Sequence, residues 1–197
     1  PIIKAFGTEQ GMDNVNDAIQ VCGGAGYTKD WSIEQYARDL RIALIYEGTN
    51  HIQALDLVGR KLPMHDGRLL KTFAKEVAKT IEAGQKHAET KPFADALQDS
   101  LRILMDATDE LRERAGQDRE EIGAAASTYL RLFGFVACAY AWVRQVAHAV
   151  ETGADNAATK VKTARYYFEL VHPKLHGVVA TLAAGKGPMM DFDVSEL

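Results

Sequence analysis

The chain has 197 residues, of which 47% are apolar and 25% are charged, a composition typical of a folded globular protein rather than a disordered one. Its 23 basic and 27 acidic residues give a net charge of −4 and form no basic stripe, so nucleic acids and anionic membranes are poor candidates for its main partner. The two cysteines, Cys22 and Cys138, lie far apart without metal-ligand spacing, and the chain start lacks a signal-peptide pattern. We therefore expect free thiols in the bacterial cytoplasm or another reducing compartment, and no secretion.

The first predicted helix ends in the run Gly-Gly-Ala-Gly-Tyr, residues 23–27. Before this run, apolar side chains recur at i, i+3, i+4 and i+7, which places them on one face of a helix. Consecutive glycines remove side-chain support and permit positive φ, so they end the helix. They could also let a phosphate approach the backbone, although many helices end in glycine for conformational reasons alone. The apolar face consists of Val15, Ala18, Ile19 and Cys22.

A second helix is predicted to begin at Ser32 and to run to Ile45 or Tyr46. Ser32 and Gln35 have the spacing of a capping box, in which each side chain bonds the other's backbone amide. The apolar stripe of this helix is formed by Ile33, Tyr36, Ala37, Leu40 and Leu44.

Gly48 ends this second helix, and a third helix follows at once. Thr49 or Asn50 is predicted to cap it, with Asn50 and Gln53 again at capping-box spacing. The third helix is expected to run to about Arg60.

A carboxylate, Glu47, occupies the joint between these two helices, in the run Ile-Tyr-Glu-Gly-Thr. A carboxylate at a helix break can project into a cleft, where apolar walls would raise its pKa toward the range in which a general base works well. The alternative is an exposed helix-terminal residue without a chemical role.

Beyond a linker at residues 61–67 the pattern becomes long and regular. Strand signals are nearly absent, and short connections between long helices are typical of an up-down bundle. The sequence therefore predicts an all-α chain, with a compact helical region over residues 1–62 and a second, up-down helical bundle over 63–197. The bundle helices are expected at about 67–90, 93–115, 119–152 and 155–184.

Two features of the bundle favour a structural interpretation. The apolar run 132–143 has 12 residues, too few to cross a bilayer, and its large side chains surround the helix, as in a buried core or, alternatively, an interface between subunits or domains. His148, His172 and His176 suggest a metal site, but Pro173 follows the first residue of the only i, i+4 pair and no further ligand completes the set. We expect neither a transmembrane segment nor a metal.

The run "QVCGGAGYTKDWSIEQYARDLRIALIYEGTNHIQ", residues 20–53, resembles the C-terminal helical domain of the acyl-CoA dehydrogenases. That family has a Gln-x-x-Gly-Gly-x-Gly-[Phe/Tyr] segment, an Arg-Asp-x-[Arg/Lys]-Ile helix and an Ile-Tyr-Glu-Gly-Thr joint, which stand here in the same order and at the same spacing. The resemblance is close over residues 10–60. More loosely, residues 64–197 resemble the appended helical domain of larger members, such as those acting on long-chain or methylmercaptopropionyl thioesters.

The resemblance implies roles for single residues. Glu47 matches the base that removes the α-proton of an acyl thioester while the β-hydrogen leaves as hydride to FAD. Tyr46 and Gly48 match positions lining the acyl and thioester pocket. His51 stands where many members have a glutamine that contacts FAD, so a contact through histidine is expected there. Further matches to FAD contacts are Gln20, Gly23 and Gly24, which in this family usually touch the cofactor of a neighbouring subunit, and Thr49.

The resemblance also implies partners: an acyl-CoA substrate, an electron-transfer flavoprotein or similar acceptor, and at least a homodimer. Complete members have an N-terminal helical domain and a middle β-domain before this region, so we expect a C-terminal fragment that is inactive alone. The alternative is a non-catalytic helical interaction or oligomerisation module, which would have no use for a glutamate between Tyr46 and Gly48.

Overall fold

The computed structural model describes residues 1–193 and 195, and every regular element among them is helical, which confirms the all-α prediction. A 3₁₀ turn, Ile42–Leu44, follows α3, and the π-helical turns Leu57–Lys61 and Tyr167–Val171 extend α4 and α8. The α-helices are α1 (Ile2–Cys22), α2 (Gly24–Tyr27), α3 (Ile33–Arg41), α4 (Asn50–Asp56), α5 (Arg68–Gly84), α6 (Lys91–Gln117), α7 (Glu120–Glu151), α8 (Ala157–Tyr166), α9 (Lys174–Ala183) and α10 (Gly187–Met190).

Helix α7 is the central element of the molecule. It packs against α5, α6, α8 and α9, and α1 and α4 from the first part of the chain also contact it. Its contacts surround it, and its large apolar side chains are buried on several faces, as the sequence pattern predicts. The fully buried ones include Leu130, Leu132, Val136, Val143 and Val146.

By length and composition alone, α7 could cross a membrane. The 12-residue apolar run lies inside a 32-residue helix, so the argument from run length does not hold. More than half of the most apolar window of α7 is buried inside the structure. Because the core helix of a soluble protein meets the same criteria, α7 is weak evidence for a membrane span.

The last predicted bundle helix, 155–184, is interrupted. Helix α8 passes into a π turn, in which the His172 amide donates to the Tyr167 carbonyl at 2.8 Å. Pro173 then starts the next segment, because its ring nitrogen cannot donate a helical hydrogen bond. Two helices, α8 and α9, therefore stand where the periodicity predicts one.

The capping box predicted at the start of α3 is wrong. Ser32 precedes the helix in a left-handed conformation, with φ of 56°, and its side chain makes no cap hydrogen bond. Gln35 instead donates to the Asp39 carboxylate at 2.7 Å. The regular helix ends at Arg41 and continues only as a 3₁₀ turn, and Tyr36 of the predicted apolar stripe is 64% exposed.

A glycine in the middle of α7 allows α1 to approach closely. The ring of Phe6 lies against Gly134, where a Cβ atom would overlap with it. The same ring packs edge-to-face on Phe135, with centroids 5.3 Å apart. Ala5 and Phe6 are the buried residues of α1, and one turn later Glu9 forms an ion pair with Arg131 of α7 at 3.1 Å. The start of α1 is thus anchored on α7.

Of the rejected metal set, His172 follows the π turn after α8 and His176 lies in the first turn of α9, and the described residues contain no group of three or more potential ligands. His172 is buried between the rings of Tyr167 and Phe168, and its Nε2 is 2.7 Å from Ser100 Oγ on α6. Burial lowers the pKa of His172, with a smaller contribution in the same direction from the nearby His176. His172 therefore serves as a neutral bridge between α6 and the end of α8.

Replacing Gly134 by Ala should lower the free energy of unfolding by about 1–3 kcal/mol, since the added methyl must displace the Phe6 ring. Gly123→Ala in the same helix is the matched control. No described atom lies within 4 Å of a Cβ atom there, so this change should stabilise by up to about 1 kcal/mol through helix propensity. Urea unfolding of both variants tests the anchor, and equal effects would contradict it.

Acidification should weaken the fold partly through His172. The unfolded chain takes up a proton at this residue as pH falls below about 6.5, whereas the folded chain resists protonation, so stability is lost below that pH. Urea unfolding at pH 7.5 and 5.5 should show a larger loss in the native protein than in a His172→Gln variant, which cannot titrate. The same pH dependence in both proteins would refute this role.

Candidate functional site

The joint that carries Glu47 has an unusual backbone. Glu47 and Gly48 both adopt left-handed conformations, with φ of 56° and 78°. Glycine does so readily, but for a residue with a side chain the cost is about 1–2 kcal/mol. Such a conformation persists only where the surrounding structure holds it, and it is common at functional sites.

Side chains from two helices hold the two carbonyl groups of this joint. Gln53 of α4 donates to the carbonyl oxygen of Glu47 at 2.7 Å. Lys4 of α1 donates to the carbonyl oxygen of Gly48 at 2.8 Å. The left-handed pair is therefore fixed by partners outside the joint itself.

Thr49 caps α4, which selects one of the two predicted capping residues. The amide of Ile52 donates to Thr49 Oγ1 at 3.3 Å. The second predicted capping box is wrong, because the Asn50 side chain reaches across to α1. Its Oδ1 accepts from Lys4 at 2.8 Å, and its Nδ2 donates to the carbonyl of Ala5 at 3.2 Å.

The Glu47 side chain is exposed, and among the described residues its carboxylate has neither an ion pair nor a hydrogen bond. Tyr46 beside it is 54% exposed. The apolar walls expected around the base are therefore not formed by the part of the chain that the structure describes. The carboxylate is free to meet a group from outside.

Among the described residues, most of the large apolar side chains that are exposed belong to residues 1–62, where they lie in or near the joint, at the ends of α1 and in and around α3. Every residue of α3 is described, and none of its side chains is buried. A concentration of this kind marks a surface that binds another molecule or domain. Its members are Ile3, Val21, Tyr27, Trp31, Tyr36, Ile42, Ile45, Tyr46 and Ile52.

The second group of predicted site residues lies at the far end of α1. Gln20, Gly23 and Gly24 are all exposed. Gly23 has φ of 58° and needs to be glycine for that reason. Gly24 does not, because its φ is not positive and no described atom lies within 4 Å of a Cβ atom built there. The packing of the described residues therefore does not require a glycine at position 24.

Gly26 differs from Gly24, because its role is internal. A Cβ atom there would lie 2.7 Å from the Cβ of Cys22 and 2.8 Å from the carbonyl oxygen of Ile19. It lets the one-turn helix α2 fold back onto α1. Within the glycine run, Gly23 and Gly26 are thus required by backbone conformation and by packing, whereas Gly24 is required by neither.

The structure does not bring the two groups together. Lys4, which contacts the Glu47 joint, and Gln20, in the second group, lie sixteen residues apart on the same helix. At a helical rise of about 1.5 Å per residue their Cα atoms are about 24 Å apart. The glutamate and the glycine pair are therefore separate surfaces of this chain.

His51 has a partner that the sequence did not predict. Its Nδ1 lies 2.8 Å from Ser127 Oγ on α7, so the ring links the start of α4 to the bundle. The ring remains exposed. Thr49, the N-cap of α4 and the other nearby residue matched to a cofactor contact, is also exposed while its Oγ1 accepts the cap bond.

No sequence motif pointed to Lys4, which contacts the joint from 44 residues away in the chain. A lysine in the first turn of a helix carries no local signal of a partner so far away. Arg38 and Asp39, the Arg-Asp pair of the helix motif, have local partners instead: Arg38 pairs with Glu34 at 2.9 Å, and Asp39 accepts from Gln35.

Two family models of known proteins match two successive parts of the chain. Residues 1–62 match the family model described as "Acyl-CoA dehydrogenase, C-terminal domain", and residues 73–193 match "Acetyl-CoA dehydrogenase C-terminal like". The chain is 35% identical to the 3-methylmercaptopropionyl-CoA dehydrogenase of Ruegeria pomeroyi over 70% of its own length and 24% of the relative's.

Two further relatives carry similar names. The broad-specificity linear acyl-CoA dehydrogenase FadE5 of Mycobacterium tuberculosis is 34% identical over 46% of this chain and 15% of its own length. The butyryl-CoA dehydrogenase of Syntrophomonas wolfei is 27% identical over 94% of this chain and 31% of its own. The chain thus spans less than a third of the length of these curated relatives.

Proposed function

Because this chain belongs to the acyl-CoA dehydrogenase family and forms a C-terminal region of that type, we propose that the protein containing it oxidises an acyl-CoA thioester to the 2,3-enoyl-CoA, with Glu47 as the base. The observation that carries the proposal is the backbone of the joint. Glu47 has a costly left-handed conformation and an exposed carboxylate without a partner among the described residues. Gln53 holds the carbonyl of Glu47, and Lys4 holds the carbonyl of Gly48.

The chemistry follows from the residues of the joint. The α-proton of a thioester is only weakly acidic, so its base must be desolvated. The base oxygen must also lie about 3 Å from the α-carbon that carries the proton. Glu47 takes this proton, and Tyr46 and Gly48 line the acyl and thioester pocket beside it. Bound FAD supplies the acceptor for the β-hydrogen. In this chain the Glu47 carboxylate is exposed, so the desolvating walls come from the domains that complete the enzyme.

The exposed group at the far end of α1 fits a flavin contact. Gln20 offers an amide side chain, and Gly23 and Gly24 leave the backbone open to a ligand. Thr49 and His51 would contact the cofactor near the base. The separation of about 24 Å between Gln20 and the Lys4 end of α1 supports an arrangement in which the two groups serve two different active sites. In the proposed enzyme, which is at least a homodimer, one subunit's glycines contact its neighbour's FAD.

The remaining parts of the proposal concern the whole protein. Residues 1–62 end the base-bearing helical domain, and residues 63–197 form an appended bundle. The exposed apolar side chains of the first part are covered by the flavin and substrate domains, without which the isolated chain is inactive. Electrons pass to an electron-transfer flavoprotein or similar acceptor. The free thiols of Cys22 and Cys138 suit the bacterial cytoplasm or another reducing compartment.

Glu47→Gln in the full-length protein should reduce acyl-CoA dehydrogenation by at least about 10³-fold, because the amide cannot accept the α-proton. The flavin-to-protein ratio should not change. Glu82→Gln, at an exposed position on α5, is the matched control and should be fully active. Undiminished turnover in Glu47→Gln would rule out this base, and the absence of flavin and activity from the native protein would favour a non-catalytic interaction module.

Gly24→Ala should weaken flavin binding by about tenfold without lowering the melting temperature, since the new methyl meets no described atom of this chain. Gly116→Ala, at an exposed position on α6 that is equally open, should leave flavin binding unchanged and should not lower the melting temperature. Fluorescence titration of the apoprotein with FAD measures the first quantity. Flavin affinity that survives in Gly24→Ala would remove this glycine from the cofactor site.

A further inference from the structure

We infer that Lys4 is a positioning residue for Glu47, an inference that rests on the proposed function. Its ammonium group donates to two acceptors, the Gly48 carbonyl and Asn50 Oδ1, each at 2.8 Å. The two acceptors lie on either side of Thr49, at the turn where the joint becomes α4. One cation thus fixes both the end of the left-handed pair and the first residue of the following helix.

The strength of this clamp comes from charge and burial. A hydrogen bond from an ammonium group is about twice as strong as one between neutral partners. Lys4 is half-buried, so water competes less for its protons than at the surface. Neither acceptor carries a formal charge, and among the described residues no carboxylate is paired with Lys4. The ammonium group of Lys4 therefore binds the joint and does not take part in an ion pair among the described residues.

Lys4 itself is held by the next two residues. Ala5 and Phe6 are buried, and the Phe6 ring lies against Gly134 of α7. Asn50 adds a second tie, because its Nδ2 donates to the Ala5 carbonyl and to Thr8 Oγ1, both at 3.2 Å. Through Lys4 the Glu47 joint is therefore connected to the core of the bundle. The short loop that carries Glu47 is held against a 32-residue helix, α7.

Rigidity matters because of the cost of misplacing a base. A displacement of about 1 Å between reacting groups can reduce a rate by about 10²-fold. Glu47 has an intrinsic preference for right-handed or extended backbone, and a release of the Gly48 carbonyl lets the pair relax toward it. The Glu47 side chain would then point in a different direction, while distant substrate and flavin contacts remain.

The test is steady-state kinetics of Lys4→Met in the full-length flavoprotein. We expect kcat to fall by about 10- to 100-fold, with KM changed by less than about threefold and the flavin-to-protein ratio unchanged. Lys75→Met, the same change at an exposed position on α5, should behave like the native protein. Lys4→Arg keeps a cationic donor and should recover part of the lost kcat.

A second variant guards against a folding defect in Lys4→Met. Asn50→Ala removes one of the two acceptors of Lys4 and should lower kcat without changing KM. The Lys4→Met/Asn50→Ala double variant should be no slower than Lys4→Met, because both residues act through the same hydrogen bonds. Unchanged kcat in Lys4→Met or Asn50→Ala, or a loss seen only in KM, would overturn the inference. A native protein without dehydrogenase activity would overturn the proposed function itself.

Discussion

The contact between Phe6 and Gly134 is the constraint from which the rest of the arrangement follows. It lets the first turn of α1 sit directly on the central helix α7, where any side chain in place of Gly134 would keep the two helices apart. The buried Ala5 and Phe6, the ion pair between Glu9 and Arg131, and the hydrogen bond between His51 and Ser127 all belong to the same face. Through this face the part of the chain that carries Glu47 and the bundle form one packed unit.

The Glu47 joint shows how a rigid core can support a strained loop. The backbone at Glu47 and Gly48 is unfavourable on its own, and side chains from α1 and α4 hold its carbonyl groups. The Glu47 carboxylate is itself exposed and has no hydrogen bond or ion pair among the described residues. The described part of the chain therefore fixes the backbone of the joint and leaves the surroundings of the carboxylate open.

Local patterns predicted local structure well and failed where other side chains, near or distant in the chain, compete for the same groups. The end of α1 at Gly23 and the break at Gly48 follow from backbone freedom that only glycine has, so both were predictable. The capping box at Ser32 does not form because Gln35 finds Asp39, and Asn50 leaves its own helix end because Lys4 and Ala5 offer better partners. Likewise, His172 bridges to Ser100 on a helix that precedes it by some seventy residues.

The sequence by itself determined the all-α class, the approximate helices, the two motifs and the position of Glu47 at a break, because periodicity, glycine and capping act over a few residues of chain. It also carried the family resemblance, since the motifs are contiguous. Only the tertiary structure decided that the two motifs lie at opposite ends of α1, that Gly24 is free of internal contacts, and that Lys4 and Gly134 connect the Glu47 joint to the core. Those facts depend on which distant side chains meet when α1 packs on α7, and no local pattern encodes that geometry.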